Sequence, residues 1–444
     1  MTLFDEMAER LGDDQWDEWK TKVLDAKEEI ASFVASRWPG GGAEVLDWFQ
    51  GSFNFCLQIM YDDGTPDVVI RFPGPGHTTF RDEKIRNEVQ VVQFLQENTT
   101  IPVPRLISWG LTEDSPQQLG PFMISEFVQG SHLSDILKDP AHPKCLYLDP
   151  NINRQILDTV YAQIADIMLQ LYSFDFASIG AISKEASSGS WSVTGRPLTY
   201  TMNELATTAF FPVDEFPSTT FASTAEYFRC LMHEHKTHLW TQRNICGSPS
   251  EARDRYVSRL LYAKSLDKHS VDDRGPFKLF CDDFRPQNIL VDPETLRIKA
   301  VLDLEFTNAM PSQFASDPPW WLLLVGPDSY LLRDHTIESF VEAYEPRLEH
   351  FLQVMERSEK SRNGADNAQR LSSLMRESWA TKRFWFDYAA RKPFDVEVFF
   401  DNCLRESGTG IEQLDEDARE GLEPFVKMKM QQLQTYDSEC SKIL

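Results

Sequence analysis

The spacing of apolar residues changes character along the chain. Between residues 43 and 129, runs rich in β-branched and aromatic residues, EVLDWFQ, FNFCLQIMY and DVVIRF, predict strands, and the turn signal at 62–66 joins the second and third into an antiparallel meander. In the next segment, RDEKIRNEVQVVQFLQEN, Ile85, Val89, Val92 and Leu95 recur at helical spacing, and Glu88 lies one turn from Ile85 and Val92, so a carboxylate is aimed inward. Pro102 and Pro104 end that helix, RLISWG resumes strand character, and GPFMISEFVQG stops at Gly130, where the first lobe ends. Beyond it, Ile156, Val160, Ile164, Met168 and Leu171 form one long helical stripe, and past Trp321 only helical patterns recur. Residues 1–42 read as an acidic helix with a solvated face, and residues 184–275 as a poorly patterned insertion. The prediction is an α+β, bilobal molecule: an N-terminal extension (1–42), a five-stranded antiparallel sheet with one helix (43–129) and a larger, mainly helical lobe (130–444).

Size and charge narrow the function. A chain of 444 residues, 41% of them hydrophobic, exceeds the ~250 to 300 residues at which one core usually splits, which agrees with two lobes. With 44 basic and 69 acidic residues the formal charge is −25, which repels nucleic acid and anionic membrane surfaces alike and excludes both as partners. Seven scattered cysteines, without CxxC or metal-ligand spacing, fit a reducing compartment. The acidic start MTLFDEMAERLGDDQWDEWK lacks a basic region followed by an apolar one, and PPWWLLLVG is far short of the ~20 residues that span a bilayer, so a soluble cytoplasmic protein is expected.

The chemistry concentrates in residues 281–306, CDDFRPQNILVDPETLRIKAVLDLEF. A hairpin over Ile289–Leu304, turning at DPET, would set Asn288 and Asp303 side by side at its open end. A carboxylate and an amide oxygen suit Mg²⁺, which keeps waters and takes further ligands from substrate phosphates. Asp283, five positions before Asn288, is near enough to take a proton from a hydroxyl nucleophile, a layout that suits phosphoryl transfer.

CDDFRPQN followed by VLDLEF resembles the paired signature segments of the aminoglycoside phosphotransferase and choline kinase family, above all its fungal members. WFQGSFNFCLQI, VVIRF, NEVQVVQFLQ and SEFVQG resemble that family's nucleotide loop, cation-bearing strand, ion-pair helix and hinge in the same order, over residues 43–330. The resemblance implies a bilobal protein-kinase-like fold and ATP- and Mg²⁺-dependent phosphorylation of a small-molecule hydroxyl, and acidic surroundings, where they extend into the cleft, suit an amine-bearing acceptor. It implies that Asp283 is the catalytic base or hydroxyl-orienting residue, that Asn288 and Asp303 bind the metal, and that Gly51, Ser52 and Asn54 cap the phosphates. By the same reasoning Arg71 would hold the α and β phosphates, Glu88 would fix Arg71, and the backbone of Glu126 and Val128 would meet adenine. Arg285 would face the γ-phosphate. The chain departs from the family pattern at Cys281-Asp282, where His-Gly is usual, and Asp282 would raise the proton affinity of Asp283 if both point inward. Two alternatives stay open: a catalytically inactive nucleotide-binding scaffold, and a protein kinase. The acceptor itself would be bound largely by residues 184–275 and the C-terminal helices.

Overall fold

A computed structural model describes residues 4–333, 335–363 and 370–443. Two helices open the chain, α1 (Glu6–Asp25) and α2 (Lys27–Ala35). The Asp5 carboxylate caps α1 by accepting from the amides of Met7 and Ala8 at 3.0 and 3.2 Å. Only one side of α1 is solvated. Trp16, Trp19 and Val23 share the other side and, with Ile30 and Val34 of α2, are buried against the sheet that follows. The expected solvated face is therefore half of the picture, because acidic composition masked a short apolar stripe at helical spacing.

The sheet contains β1 (Glu44–Gln50), β2 (Asn54–Met60), β3 (Val68–Pro73), β4 (Leu106–Gly110) and β5 (Phe122–Glu126), with α3 (Arg81–Asn98) between β3 and β4. Its order is β1-β2-β3-β5-β4 and every neighbouring pair is antiparallel; β1 to β3 form the expected meander, whereas β5 inserts between β3 and β4. Phe55, Leu57 and Ile59 of β2 alternate onto the face beneath α1 and α2 together with Val68, Ile70 and Phe72 of β3. Arg71, between Ile70 and Phe72, takes the opposite face, toward α3.

The helical lobe begins with β6 (Ser131–His132), α4 (Leu133–Leu137) and α5 (Arg154–Tyr172), whose Leu157, Val160, Ile164 and Ile167 enter the main core. A hairpin, β7 (Ala181–Lys184) and β8 (Trp191–Gly195), precedes α6 (Tyr200–Thr208), α7 (Thr224–Thr241), α8 (Pro249–Lys264) and α9 (Leu266–His269). The stretch that reads as poorly patterned thus holds four α-helices, which cover about half of it. Its period is hidden because α7 buries Glu234, His235 and His238 beside Tyr227, Phe228, Leu231 and Leu239.

β9 (Lys278–Phe280) pairs with β12 (Asn308–Met310), and between them lies the hairpin of β10 (Ile289–Val291) and β11 (Ile298–Val301). Ile289 faces Val301, and the turn closes where Asp292 accepts from the Thr295 amide at 2.8 Å. β6 adds a third strand to this hairpin, and His132 Nδ1, 2.7 Å from the Gln287 carbonyl, ties the loop before β10 to it. The chain finishes in α10 (Ser312–Ala315), α11 (Pro327–Leu331), α12 (Ile337–Asn363), α13 (Leu371–Ala380), α14 (Arg383–Ala390), α15 (Val396–Phe399) and α16 (Glu416–Ile443). Among the described residues no helix is long and apolar enough to cross a membrane.

Candidate active site

Strand β3 places Arg71 between the lobes. Its Nη2 donates in a short hydrogen bond to Glu88 of α3, while Nη1 reaches Asp303 Oδ1 at 3.0 Å and lies 3.8 Å from Glu305 Oε2. One turn before Glu88, Lys84 is buried on the same side of α3 and contacts Glu305 Oε2 at 2.5 Å and Asn54 Oδ1 at 2.9 Å. The Asn54 amide nitrogen donates to Glu305 Oε2 at 2.8 Å. Glu88, Asp303 and Glu305 against Arg71 and Lys84 make three acids to two cations, a net charge of −1 where the lobes meet.

Burial sets the proton affinities here. It raises the carboxyls of Glu88 and Asp303, the latter helped by Glu305. Glu305 ends below its ordinary value because Lys84 and Arg71 outweigh its burial. Burial also works against the Arg71 charge, but Glu88, Glu305 and Asp303 reverse that and hold the guanidinium ionised. Asp303 keeps 39% of its side chain exposed, so it is the member of the cluster open to a ligand. Its backbone is left-handed, φ 52°, as is that of Phe306, φ 60°; Asp tolerates this region, and such strain gathers at functional sites.

Asp283 and Asn288 occupy the loop between β9 and β10. The Asn288 amide donates to Asp283 Oδ2 at 2.7 Å and to its carbonyl at 2.9 Å, and Asn288's own carbonyl accepts from the Leu302 amide at 2.8 Å, next to Asp303. The structure therefore brings Asp283, Asn288 and Asp303 together as the spacing predicts. Arg285 Nε lies 2.7 Å from Asp283 Oδ1, an ion pair by distance whose angle is not that of a hydrogen bond. Burial pushes the Asp283 carboxyl up to about 6, opposed by Arg285 and the Asn288 bond and aided by Asp303 and Glu305.

Asp282 turns the other way. Its carboxylate pairs with Arg391, just past α14, in a short contact, and its carbonyl accepts from Trp320 Nε1 at 3.2 Å. The expected proton-affinity conflict between adjacent acids does not arise, because the two side chains leave the backbone on opposite sides. Cys281 sits behind them, its thiol raised to about 12 by burial and hence uncharged.

The remaining expected residues have distinct placements. Gly51 and Ser52 form the β1–β2 turn, closed by the Gly51 amide bonding the Asn54 carbonyl at 2.9 Å, and a Cβ on Gly51 would meet nothing nearer than 3.8 Å. Asn54 is not in that turn's open mouth: both ends of its amide are engaged by Lys84 and Glu305. At the end of β5 the Glu126 amide is bonded to the Arg105 carbonyl at 3.1 Å, whereas the Val128 amide bonds to no other described residue. Beside them the ring of Phe127 stacks on Phe49 of β1, centroids 6.3 Å apart.

Sequence reasoning missed a group of residues of the helical lobe, of which Tyr200 lies near enough to Asp283 and Arg285 to feel their charges. Tyr200 of α6 packs against Phe53 and Phe306, and Glu204 lies one turn further along α6. Lys392 Nζ is 2.9 Å from Asp328 Oδ2, which also leaves Asp328 Oδ1 to accept from the Tyr388 hydroxyl at 2.7 Å. Burial pushes the Glu204 carboxyl up to about 7 against the pull of Lys392, with Asp328 and Asp395 adding to the rise. The pair Tyr200 and Glu204 had a local signal in its four-residue spacing, as did Lys84 with Glu88. Asp328 and Lys392 had none.

A family model described as the phosphotransferase enzyme family matches residues 58–356. The chain belongs to this family. The match to the phosphotransferases spans β3 through most of α12, hence the whole charge cluster apart from Asn54, and leaves α1, α2, β1 and α13 to α16 outside. No curated protein matches the sequence significantly. Among solved structures the phosphotransferase is similar to choline kinase from Cryptosporidium parvum, at 13% identity and TM-score 0.46, covering 94% of this chain and 96% of that one. It is similar to ethanolamine kinase from Plasmodium vivax at 12% identity and TM-score 0.41, over 90% and 83% of the two chains. A third likeness is aminoglycoside phosphotransferase from Streptomyces rimosus in complex with ADP and streptomycin, at 13% identity and TM-score 0.39, over 83% and 98%.

Proposed function

We propose that this phosphotransferase moves the γ-phosphoryl group of ATP, with Mg²⁺, to a hydroxyl of a small amine-bearing molecule in the cytoplasm. The observation that carries the reading is Arg71 on β3, bonded at once to Glu88 of its own lobe and to Asp303 of the other, with Asp283 and Asn288 on the same rim. The residues fit both groups. A cluster with one surplus negative charge, whose most exposed member is Asp303, suits a divalent cation, and among the described residues no set of three or more His, Cys, Asp or Glu could hold a metal alone. Mg²⁺ needs no such set, since one or two protein oxygens and the substrate phosphates complete its shell. Asp303 and the Asn288 Oδ1 would hold it, and bound there it would neutralise phosphate charge.

The chain's own residues then have separable tasks. Arg71 binds phosphate oxygens while Glu88 and Asp303 fix its planar fork. The Gly51–Ser52 turn and the Val128 amide take the phosphates and the base. Asp283, with its carboxyl near 6, is ionised at neutral pH and accepts the acceptor hydroxyl's proton, and Arg285 orients it. Glu204 supports an amine-bearing acceptor, because Asp328 is already answered by Lys392 and an ammonium beside Glu204 would draw its carboxyl into the ionised form. Seven free cysteines support a reducing compartment. The test is purified protein with Mg-ATP against a library of hydroxylated amines, amino-free analogues included, read as ADP release. Turnover confined to amine-bearing alcohols is expected; turnover of peptides, or none beyond ATP hydrolysis, would overturn the reading.

A further inference from the structure

The segment 74–79 between β3 and α3 is crossed by three otherwise separate parts of the molecule. From the nucleotide side, the Gly74 amide donates to the Phe53 carbonyl at 2.9 Å, and His77 Nδ1 lies 3.0 Å from the Ser52 carbonyl. From α1, Asp13 Oδ1 lies 2.9 Å from the other ring nitrogen of His77, and Trp16 stacks on the imidazole at 4.4 Å. From α6, the buried Asn203 donates to the His77 carbonyl at 2.9 Å and accepts from the Thr79 amide at 3.1 Å.

This junction is built to close tolerance. A Cβ at Gly74 would fall 2.3 Å from the Trp16 ring, and one at Gly76, φ +81°, would fall 2.1 Å from the Gly12 carbonyl, so α1 and the segment approach as closely as backbones can. The two imidazole nitrogens face a carbonyl oxygen and a carboxylate, so the ring bridges the β1–β2 turn to α1. The helix is anchored at both ends of its run. At its start the Asp5 amide donates to the Thr208 carbonyl at 2.8 Å and Phe4 packs edge-on against Phe394, both in the helical lobe. Further along, Trp19 Nε1 donates to the Leu119 carbonyl at 2.6 Å and Lys20 Nζ to Gln50 Oε1 at 2.6 Å, both on the sheet lobe.

We infer that α1 is a strap across the two lobes, and that the chain Asp13–His77–Ser52 uses it to hold the β1–β2 turn in the shape that receives nucleotide phosphates. His77 and Asp13 are positioning residues; they touch the turn's backbone and not its ligand. Asn203 ties the same junction to α6, which carries Tyr200 and Glu204, so those two residues and the phosphate turn share one support. The inference rests on the proposed nucleotide role of Gly51 and Ser52, and its test separates the two.

Asp13→Ala removes an exposed carboxylate and leaves the core intact; His77→Ala removes the imidazole; Asp14→Ala, one position along and without these contacts, is the control. Two readouts serve: titration of each full-length protein with Mg²⁺ and a non-hydrolysable ATP analogue, and hydrogen exchange of residues 50–54 in the nucleotide-free protein. The expected result is affinity weaker by about two- to tenfold in each variant, the net worth of one hydrogen bond, with a double variant no worse than His77→Ala and Asp14→Ala unchanged. Exchange in the turn should rise in the same two variants at an unchanged melting temperature for Asp13→Ala. Wild-type affinity and wild-type exchange in Asp13→Ala and His77→Ala would overturn the strap. A wild-type protein that does not bind the analogue overturns the nucleotide reading instead, and faster exchange of 50–54 in the variants would still support the support chain.

Discussion

Asp283 and Asp303 are carboxylates 20 positions apart with different surroundings, and the difference is testable. Asp283→Asn should leave Mg-ATP binding near wild type while turnover falls by about 10²- to 10⁴-fold, the usual share of a general base. Asp303→Asn should weaken both, since it removes the exposed charge of the metal-facing cluster; a phosphate-transfer assay beside calorimetric binding separates the two variants. The pH dependence follows from the Asp283 carboxyl at about 6: turnover should fall as pH drops through 6 and the base is protonated. The sign for stability is opposite. A folded value above the unfolded one, 3.8, means that folding binds a proton more tightly, so stability is lost as pH rises from about 4 to about 6, and at pH 7 Asp283→Asn should be more stable than wild type by up to about 3 kcal/mol. A melting temperature that does not rise would contradict this. Arg71→Ala should weaken nucleotide binding and Arg71→Lys should partly restore it, with less recovery than charge alone suggests because Lys lacks the fork that joins Glu88 to Asp303.

At the scale of elements, the loop between β9 and β10 owes its shape to neighbours far away in the chain. The ion pair from Asp282 to Arg391 anchors it to the end of α14, and Arg391 is itself held by its Nε donating to the Asp387 carbonyl at 3.1 Å and by the rings of Phe280 and Phe314. Removing one partner of a buried pair leaves the other unpaired, so Asp282→Asn, which strands the more buried Arg391, should lower unfolding stability by about 3 kcal/mol or more, and Arg391→Met, which strands the more exposed Asp282, by less. A larger loss in Arg391→Met, measured by urea unfolding, would mean that packing of the Arg391 side chain on Phe280 and Phe314 dominates. On α3 the inward Glu88 was legible from its place in the stripe. Lys84 sat on the same face, but burying a lysine is uncommon enough that pattern alone points it to solvent. The helices of 184–275 were illegible because their buried faces carry acids and histidines whose partners, such as the Ala390 carbonyl bonded to His235 Nε2 at 3.0 Å, come from the C-terminal helices.

Over the whole molecule, the lobes are joined by polar contacts at the cleft and by α1 behind it. Asn54 to Glu305, Arg71 to Asp303 and the two-pronged pair from Arg196 to Glu83, at 2.9 and 2.7 Å, all cross from one lobe to the other. Glu305→Gln should therefore act as more than a local change: it leaves Lys84 buried without its carboxylate, and a drop in melting temperature of several degrees with loss of Mg-nucleotide binding is expected. What the sequence determined by itself were features written within one element or one turn: the meander of the first three strands, the inward Glu88, the hairpin and the spacing that sets Asp283, Asn288 and Asp303 at its open end. Strand alternation, helical period and turn chemistry are local, so a reader of the chain has all the information they use. Tertiary structure alone decided which charges answer which. Lys84 meets Glu305 across 221 residues, Asp282 meets Arg391 across 109, and His77 meets Asp13 across 64. Those pairings depend on how lobes and helices pack, and the low dielectric of the packed interior makes each of them consequential, although no residue spacing announces it.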